Sequence, residues 1–167
     1  MRRVAPARLD AIARSLLDAS TLFSIATVTP GGKAYVNTAY FAWSDRFDLV
    51  WLSDPSSAHS RNLRANATVA AAVCDSNQSW GESDRGMQLF GAGRELDGAA
   101  ARAAERTYGA RFPTYAESER AGYCFYWLRP RRVKLFDEAA LGAGVFVTAA
   151  VSRGRLGWAR TDVYRRR

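Results

Sequence analysis

The sequence predicts an α+β protein in which short strands form one antiparallel barrel flanked by helices. Short segments rich in β-branched and aromatic residues follow one another, separated by turn residues. The connections between the first strands are too short for the crossover of a dozen or more residues that a parallel pair needs. Helical segments stand at the start and late in the chain rather than after every strand, unlike a doubly wound sheet. The 167 residues fit a single domain, 1–167.

The first part of the chain predicts one helix and three strands. Apolar residues near the N-terminus repeat at i, i+3, i+4, i+7 and i+8, which marks one buried helix face. Pro30–Lys33 and Ser44–Arg46 are short turns, so the strands around them are expected to be antiparallel neighbours. The helix face comprises Leu9, Ile12, Ala13, Leu16 and Leu17, and the strands are Leu22–Thr29, Ala34–Trp43 and Phe47–Ser53.

The second part predicts two helices among four strands. Pro55 and the serines after it supply start and capping chemistry for one helix. Asp97 is expected to cap the other, which ends before Pro113. Gly91 and Gly93 interrupt a strand, as glycines do where a bulge or barrel corner is needed. The predicted helices are Ala58–Ala65 and Gly98–Gly109, and the strands are Val69–Asp75, Met87–Leu96, Tyr123–Leu128 and Arg131–Phe136. Three alternatives remain open for residues 142–167: an added strand, a flap or a basic tail.

The net charge of +8 belongs mainly to the two chain ends. Arg153–Arg167 holds six arginines and one aspartate, and Arg2 and Arg3 add two charges. Such ends are usually solvated tails, and no base-stacking or recognition motif accompanies them, so nucleic-acid binding is not expected. The alternative, association through the arginine tail, predicts binding that weakens steeply with salt.

The chain has no apolar stretch approaching the roughly 18–20 residues of a membrane span, and no signal-peptide core. A cytoplasmic protein without a membrane partner is therefore expected. Cys74 and Cys124 are expected to be buried free thiols, with a disulfide between them as the alternative. Their spacing does not fit a zinc site, and no metal is predicted.

His59 is the single histidine of the chain. A hydrolytic triad needs this histidine positioned between a nucleophile and an acidic residue. A two-histidine metal site needs another histidine. No pair of carboxylates stands out either. The sequence therefore favours chemistry supplied by a bound cofactor, and it assigns no catalytic residue.

The segment Trp51–Asn62 runs from a strand end, through a hydroxyl-rich loop, into a helix start. N–H groups at a helix N-terminus, the hydroxyls of Ser57 and Ser60, and the guanidinium of Arg61 form a natural seat for a phosphate. A serine-rich helix cap with a solvated arginine is the alternative interpretation.

Five stretches of this chain follow the pattern of one known superfamily. They are 32–41, 48–53, 57–66 with its Asn-Leu-Arg-Ala-Asn sequence, 69–73 and 85–93. On them the chain resembles the pyridoxamine 5'-phosphate oxidase-like FMN-binding split barrels, over about Leu9–Phe136. It is similar to the small branch with histidine in the loop after the third strand. The resemblance implies a homodimeric split β-barrel with the flavin between the subunits.

The resemblance also implies which residues hold the cofactor. The second strand would lie along the isoalloxazine ring with Asn37, Thr38, Ala39 and Tyr40. The end of the third strand would approach the flavin and its ribityl chain with Leu52 and Ser53. The family's Ser-Arg-Lys phosphate clamp falls on Ser57, Ala58 and His59, with Ser60 and Arg61 following. Gln88 would reach a flavin held mainly by the other subunit.

Two departures from the family pattern matter for function. Ala58 and His59 replace the arginine and lysine of the clamp, so two permanent charges become at most one titratable charge. A histidine with an ordinary pKa of about 6.5 is only partly charged at neutral pH. The C-terminal clamp for a pyridoxal-type phosphate has no match here, so true pyridoxamine phosphate oxidase activity is not expected.

The leading prediction is an FMN-dependent oxidoreductase, a reductase or an oxidase, that acts on a small organic substrate. NADH or NADPH is the electron donor to consider. Two alternatives remain open at this point. The same barrel could bind F420 or haem, with His59 as an axial ligand in the haem case, or it could be a non-catalytic flavin-binding module.

Overall fold

The computed structural model describes residues 3–74, 77–115 and 121–164. Within these residues the chain forms four helices and nine strands. In chain order they are α1 Pro6–Ala19, β1 Leu22–Val28, β2 Ala34–Tyr40, β3 Ala42–Trp43, β4 Leu49–Ser53, α2 Ala58–Ala65, β5 Thr68–Cys74, β6 Arg85–Glu95, α3 Gly98–Arg111, β7 Cys124–Asp137, α4 Glu138–Leu141, β8 Val145–Ser152 and β9 Arg155–Val163. The α+β class predicted from the sequence is confirmed.

All strand pairs are antiparallel and belong to one sheet with the order β2-β1-β5-β6-β7-β4-β3. The long strand β7 pairs on one side with β6 and on the other with two strands in succession. Its first half pairs with β4, and its second half pairs with β8, which in turn pairs with β9. The described residues thus hold more than the six to seven strands predicted, because most of the segment after 142 forms the β8–β9 hairpin.

The predicted second strand, Ala34–Trp43, is two strands that serve different neighbours. β2 pairs with β1, whereas the two residues of β3 pair with β4. Phe41 separates them: its side chain is fully buried and its N–H donates to the Thr21 carbonyl at 3.1 Å. The chain therefore turns inward at Phe41, and the two parts of the predicted strand pair with different strands.

The predicted break at Pro130 is wrong, since β7 runs without interruption through that residue. Proline has no N–H to donate to a ladder and is tolerated in a sheet at a bulge. The β6–β7 register shifts between Phe90 and Gly91, directly opposite Pro130. A Cβ on Gly91 would lie 2.0 Å from the Arg129 carbonyl oxygen, so glycine permits this close approach. The bulge predicted at Gly91 is confirmed, and it is what keeps β7 continuous.

The predicted face of α1 is buried at all five positions, and the helix packs against β9, β6 and β5. α2 begins and ends where predicted, with Ser57 as its N-cap. Asp97 precedes α3, but its side chain makes no capping hydrogen bond. Both cysteines are free, as predicted, but neither is buried as expected: Cys74 is exposed and Cys124 is half-buried. No helix in the described ranges is long and apolar enough to cross a membrane.

Candidate functional site

The loop after β4 and the first turn of α2 form a compact, hydroxyl-lined corner. Ser57 Oγ accepts from the N–H of Ser60 at 3.3 Å and donates to Ser60 Oγ at 2.7 Å, and Ser60 Oγ donates to the Asp54 carbonyl at 2.9 Å. These bonds hold the N-cap and leave the N–H groups of Ala58 and His59 without an acceptor inside the helix. Leu52 and Ser53 lead into this corner from the end of β4. The structure thus brings together the phosphate-seat residues that the sequence predicted.

The charges at this corner are few. Arg61 donates its guanidinium to the Ser56 carbonyl, which ties its cationic head to the loop at the N-terminal turn of α2. Asp54 lies on the same loop, where the N–H of Ser56 donates to its carboxylate at 2.7 Å and holds its pKa below the ordinary value. The guanidinium of Arg61 and the carboxylate of Asp54 therefore flank the turn, together with the positive end of the helix dipole.

His59 is held inside the corner instead of projecting from it. Only 7% of its surface is exposed. Ser57 Oγ lies 3.3 Å from Nδ1 and 3.2 Å from Nε2, and the ring meets Tyr126 edge-on with centroids 6.3 Å apart. Burial lowers the pKa of His59 below its ordinary value of 6.5, because desolvation disfavours the imidazolium. The histidine is therefore neutral at pH 7 and adds no charge to a phosphate seat.

The depressed pKa of His59 gives a pH-dependent stability. Between the folded pKa and about 6.5 the unfolded chain binds more protons at this residue than the folded chain, so the free energy of unfolding falls as the pH decreases through that range. We expect urea midpoints measured at pH 7.5 and 5.5 to fall more in the wild type than in His59→Gln. Because the chain has one histidine, an equal fall in both proteins would contradict the neutral, buried assignment.

A buried tyrosine that the sequence did not single out supports this corner from β7. The Tyr126 hydroxyl donates to Glu95 Oε2 at 3.0 Å, and its ring stacks on Trp51 with centroids 5.5 Å apart. Burial, with help from the Glu95 carboxylate, raises the pKa of Tyr126 to about 12. Arg64 of α2 also donates to Glu95 Oε2, at 2.9 Å, and to the Pro55 carbonyl at 2.7 Å. α2 and its loop are therefore fixed to the end of β6 and to β7.

The strand β2, predicted to lie along a flavin ring, is an edge strand. Among the described residues its one strand partner is β1. The N–H of Phe41 donates to the Thr21 carbonyl and the N–H of Thr29 to the Lys33 carbonyl, so the odd-numbered residues of β2 bond to β1. Main-chain groups alternate in direction along an antiparallel strand. Those of the even-numbered residues, Thr38 and Tyr40 among them, therefore point to the open edge.

The side chains of β2 divide between the two faces of the sheet. Asn37 and Ala39 are half-buried, and the buried Oδ1 of Asn37 has no hydrogen-bond partner among the described residues. Buried polar atoms are nearly always hydrogen-bonded, so this oxygen is a candidate contact for a ligand. Thr38 and Tyr40 are exposed. α2, whose first turn forms the phosphate corner, also contacts β2.

Gln88 is exposed and lies on β6, three strands from β2 in the sheet order. At about 4.8 Å per strand spacing, that is ~14 Å from β2. Within one chain the structure therefore does not bring Gln88 to the β2 edge. Gln88 lines a shallow hollow of about 300 Å³ on the outer sheet face, together with small and apolar side chains. That hollow also includes Ser24, Ala26, Val36, Ala70, Ala72 and Phe90.

The sequence pattern of one family runs through all of these elements. The model of the pyridoxamine 5'-phosphate oxidase family matches residues 9–137. The chain belongs to this family. The pyridoxamine 5'-phosphate oxidase pattern spans from within α1 to the last residue of β7, and leaves residues 3–8, α4 and the β8–β9 hairpin outside.

Solved structures share the fold at low sequence identity. A protein of unknown function from Agrobacterium tumefaciens is 18% identical with a TM-score of 0.66, over 83% of this chain and 62% of that one. A heme binding protein from Mycobacterium smegmatis is 18% identical with a TM-score of 0.65, over 90% and 59%. An F420 reductase is 24% identical with a TM-score of 0.57, over 72% and 94%. The chain thus spans about three-fifths of the first two. No curated protein matches the chain.

The pyridoxamine 5'-phosphate oxidase family fold suits a flavin at this corner, with a weaker phosphate seat than the family clamp. The open edge of β2 and the unpartnered Asn37 oxygen fit a ring with donors and acceptors along one side. The first turn of α2 and Arg61 fit a phosphate. The neutral His59 and the nearby Asp54 carboxylate reduce the positive charge. Within the described residues, no three His, Cys, Asp or Glu side chains come together to hold a metal.

Proposed function

We propose that the chain binds FMN and acts as a flavin-dependent oxidoreductase on a small organic substrate. The observation that carries the proposal is that α2, whose first turn forms the phosphate corner, contacts β2, whose second edge is open. β2 offers main-chain donors and acceptors, and the first turn of α2 offers N–H groups, hydroxyls and an arginine. A flavin mononucleotide, with its polar ring edge and its phosphate, can use both kinds of contact.

The proposed contacts follow from the directions of the chemical groups. The phosphate would accept from the N–H groups of Ala58 and His59 and from the guanidinium of Arg61. The ring would bond to main-chain groups of Thr38 and Tyr40 and to the side chain of Asn37. Leu52 and Ser53 would lie between the two, along the ribityl chain. A bound flavin supplies the hydride and one-electron chemistry that this corner's side chains lack.

F420 is the second candidate cofactor, because a deazaflavin presents a similar ring and a phosphate to the same edge and turn. An F420 reductase and a heme binding protein both share this fold, so the choice between these two candidates rests on the environment of His59. The haem hypothesis needed His59 as an axial ligand, but that ring is 7% exposed and packed between Ser57 and Tyr126. Iron coordination would require the ring to leave this position.

We propose further that the functional form is a homodimer formed through the outer sheet face. Three large apolar residues of β1 and β2 are exposed there: Leu22 at 45%, Val36 at 62% and Tyr40 at 58%. Small side chains of β5 continue the surface toward Gln88. A contiguous apolar surface of this kind is typical of an interface. A second copy would also bring its own Gln88 toward β2, which lies about 14 Å from β6 within one chain.

The test is an absorption spectrum of the purified protein after incubation with FMN and removal of free ligand, followed by NADH and NADPH turnover with oxygen as acceptor. Retained bands near 375 and 450 nm that bleach with NADPH and return in air support an enzyme. Retained bands without bleaching by either donor support a non-catalytic flavin-binding module. The FMN proposal is contradicted if the protein stays colourless after incubation with FMN but retains F420, with its band near 420 nm, in a parallel incubation.

Arg61 is the permanent cation of the proposed phosphate seat, so its loss should weaken FMN binding. A charge-assisted hydrogen bond contributes about 1.5–3 kcal/mol, which corresponds to a roughly 10- to 100-fold rise in Kd for Arg61→Gln. Ala58→Arg, which restores one cation of the family clamp, should lower Kd by about tenfold. Flavin fluorescence titrations measure both.

Arg102→Gln, on the exposed surface of α3, is the matched control and should leave Kd unchanged. If Arg61→Gln binds FMN as tightly as the control, the phosphate does not bind at the first turn of α2.

A further inference from the structure

A second cavity lies away from the corner just described. Its volume is about 260 Å³, and it opens between the start of α1, α4 and the β8–β9 hairpin. β9 is the strand furthest from β2 when the sheet is followed through β8. Every residue that lines the cavity lies outside 9–137, the stretch that matches the family. The cavity is therefore built entirely by segments outside the family match.

The inside of the cavity is largely apolar. Val4, Leu141, Val145 and Val163 line it, and Val4 is buried at 7% exposure. The hydroxyl of Thr161 is the one polar side chain among the uncharged lining residues, and it accepts from the indole N–H of Trp158 at 2.9 Å. A cavity of ~150 Å³ already suffices to bind benzene, so this one has room for a small organic molecule.

Two arginines stand at the cavity, and no ion pair between described residues includes either of them. Arg8 donates to the Ala140 carbonyl, and the Arg3 guanidinium lies 5.8 Å above the Trp158 ring. The nearby carboxylate of Asp10 accepts from the main-chain N–H of Leu156, and that of Glu138 from the N–H of Gly144.

The first turn of α1 adds a partial positive charge beside the two arginines. It has no acidic residue and no side-chain cap, so the positive end of its dipole is also uncompensated. An apolar cavity lined by two arginines that form no ion pair with a described carboxylate selects for an anion with an apolar body.

We propose that this cavity is a second binding site, for a small organic carboxylate with an apolar body. The carboxylate would pair with Arg8 and Arg3 at the opening, and the apolar body would lie against the four aliphatic side chains. The site stands at the opposite sheet edge from β2, so the proposal does not rest on the proposed flavin function.

The probe is hexanoate, with hexan-1-ol as the neutral ligand of the same length. Both are titrated into the full-length ¹⁵N-labelled protein, and the indole N–H signal of Trp158, assigned through Trp158→Phe, reports on the cavity. We expect hexanoate to shift this signal with a Kd of about 1 mM or below and hexanol to bind about tenfold more weakly. Arg8→Gln should weaken hexanoate about tenfold, whereas Arg8→Lys should retain most of the affinity.

Because Arg8 also bonds to α4, Arg3→Gln provides a second variant that leaves the helix contacts intact. It too should weaken hexanoate, whereas Arg102→Gln on α3 should have no effect. The proposal is overturned if hexanoate causes no shift at about 20 mM, if hexanol shifts the signal as strongly, or if both Arg3→Gln and Arg8→Gln bind like the wild type. None of these outcomes depends on whether FMN binds.

Discussion

Substitution of Ala72 by arginine is expected to convert the protein from a dimer to a monomer and to abolish FMN retention. Ala72 is exposed on the outer sheet face, where it pairs with Ser24 on one side and Gln88 on the other. In the proposed dimer this position is covered, and an unpaired buried charge costs about 3–5 kcal/mol. Size-exclusion chromatography with light scattering at micromolar concentration measures the mass, and the flavin spectrum measures retention.

The matched control for Ala72→Arg adds the same charge where no partner is expected. Ala103 is exposed on α3, so Ala103→Arg should remain dimeric and retain FMN. The proposal of an interface on this face would be wrong if Ala72→Arg kept the dimer mass. A monomeric wild type that still binds FMN tightly would show that one chain suffices.

Substitution of Gly91 by alanine is expected to cause the largest loss of stability of any single methyl group added to the sheet. The new Cβ would lie 2.0 Å from the Arg129 carbonyl oxygen and 2.8 Å from the Cα of Pro130, and neither main-chain atom belongs to a flexible side chain. Overpacking of a folded interior typically costs 1–3 kcal/mol, and we place this change near the upper end at ~3 kcal/mol. For a chain of this size that lowers Tm by roughly 6–12 °C.

Gly157→Ala is the matched control for Gly91→Ala, because both glycines lie within strands. The nearest heavy atom to a Cβ at Gly157 is the Ala150 carbonyl oxygen at 4.0 Å, which is ordinary contact. Thermal unfolding followed by circular dichroism should therefore separate the two variants by several degrees. Equal melting temperatures would show that the β6–β7 bulge tolerates a side chain and that it does not explain the continuity of β7 through Pro130.

Local patterns in the sequence were sufficient for most helices and strands. The repeat of apolar residues located the buried face of α1, and the proline and serines before Ala58 located the start of α2. The break at Phe41 and the continuity through Pro130 were missed for one reason. Both depend on which strand lies opposite, and that partner is distant in the sequence.

The candidate site shows the same division between local and distant information. The loop and α2 belong to one continuous segment, so the sequence indicated their association. The burial of His59 could not be predicted from local sequence, because Tyr126, which packs against its ring, lies 67 positions further along the chain. The support given to α2 by Glu95 was missed for the same reason, since the two bonds to this carboxylate each join residues 31 positions apart. No local motif marks either contact.

Equilibrium titration of the purified protein with FMN, followed by flavin fluorescence, tests the central claim most directly. A site that combines the open edge of β2 with the first turn of α2 should bind one FMN per subunit with a Kd of about 10 μM or below. Binding should weaken in Arg61→Gln and be unaffected in Arg102→Gln. A wild-type Kd above roughly 100 μM, or an unchanged Kd in Arg61→Gln, would contradict the claim that this corner is a flavin site.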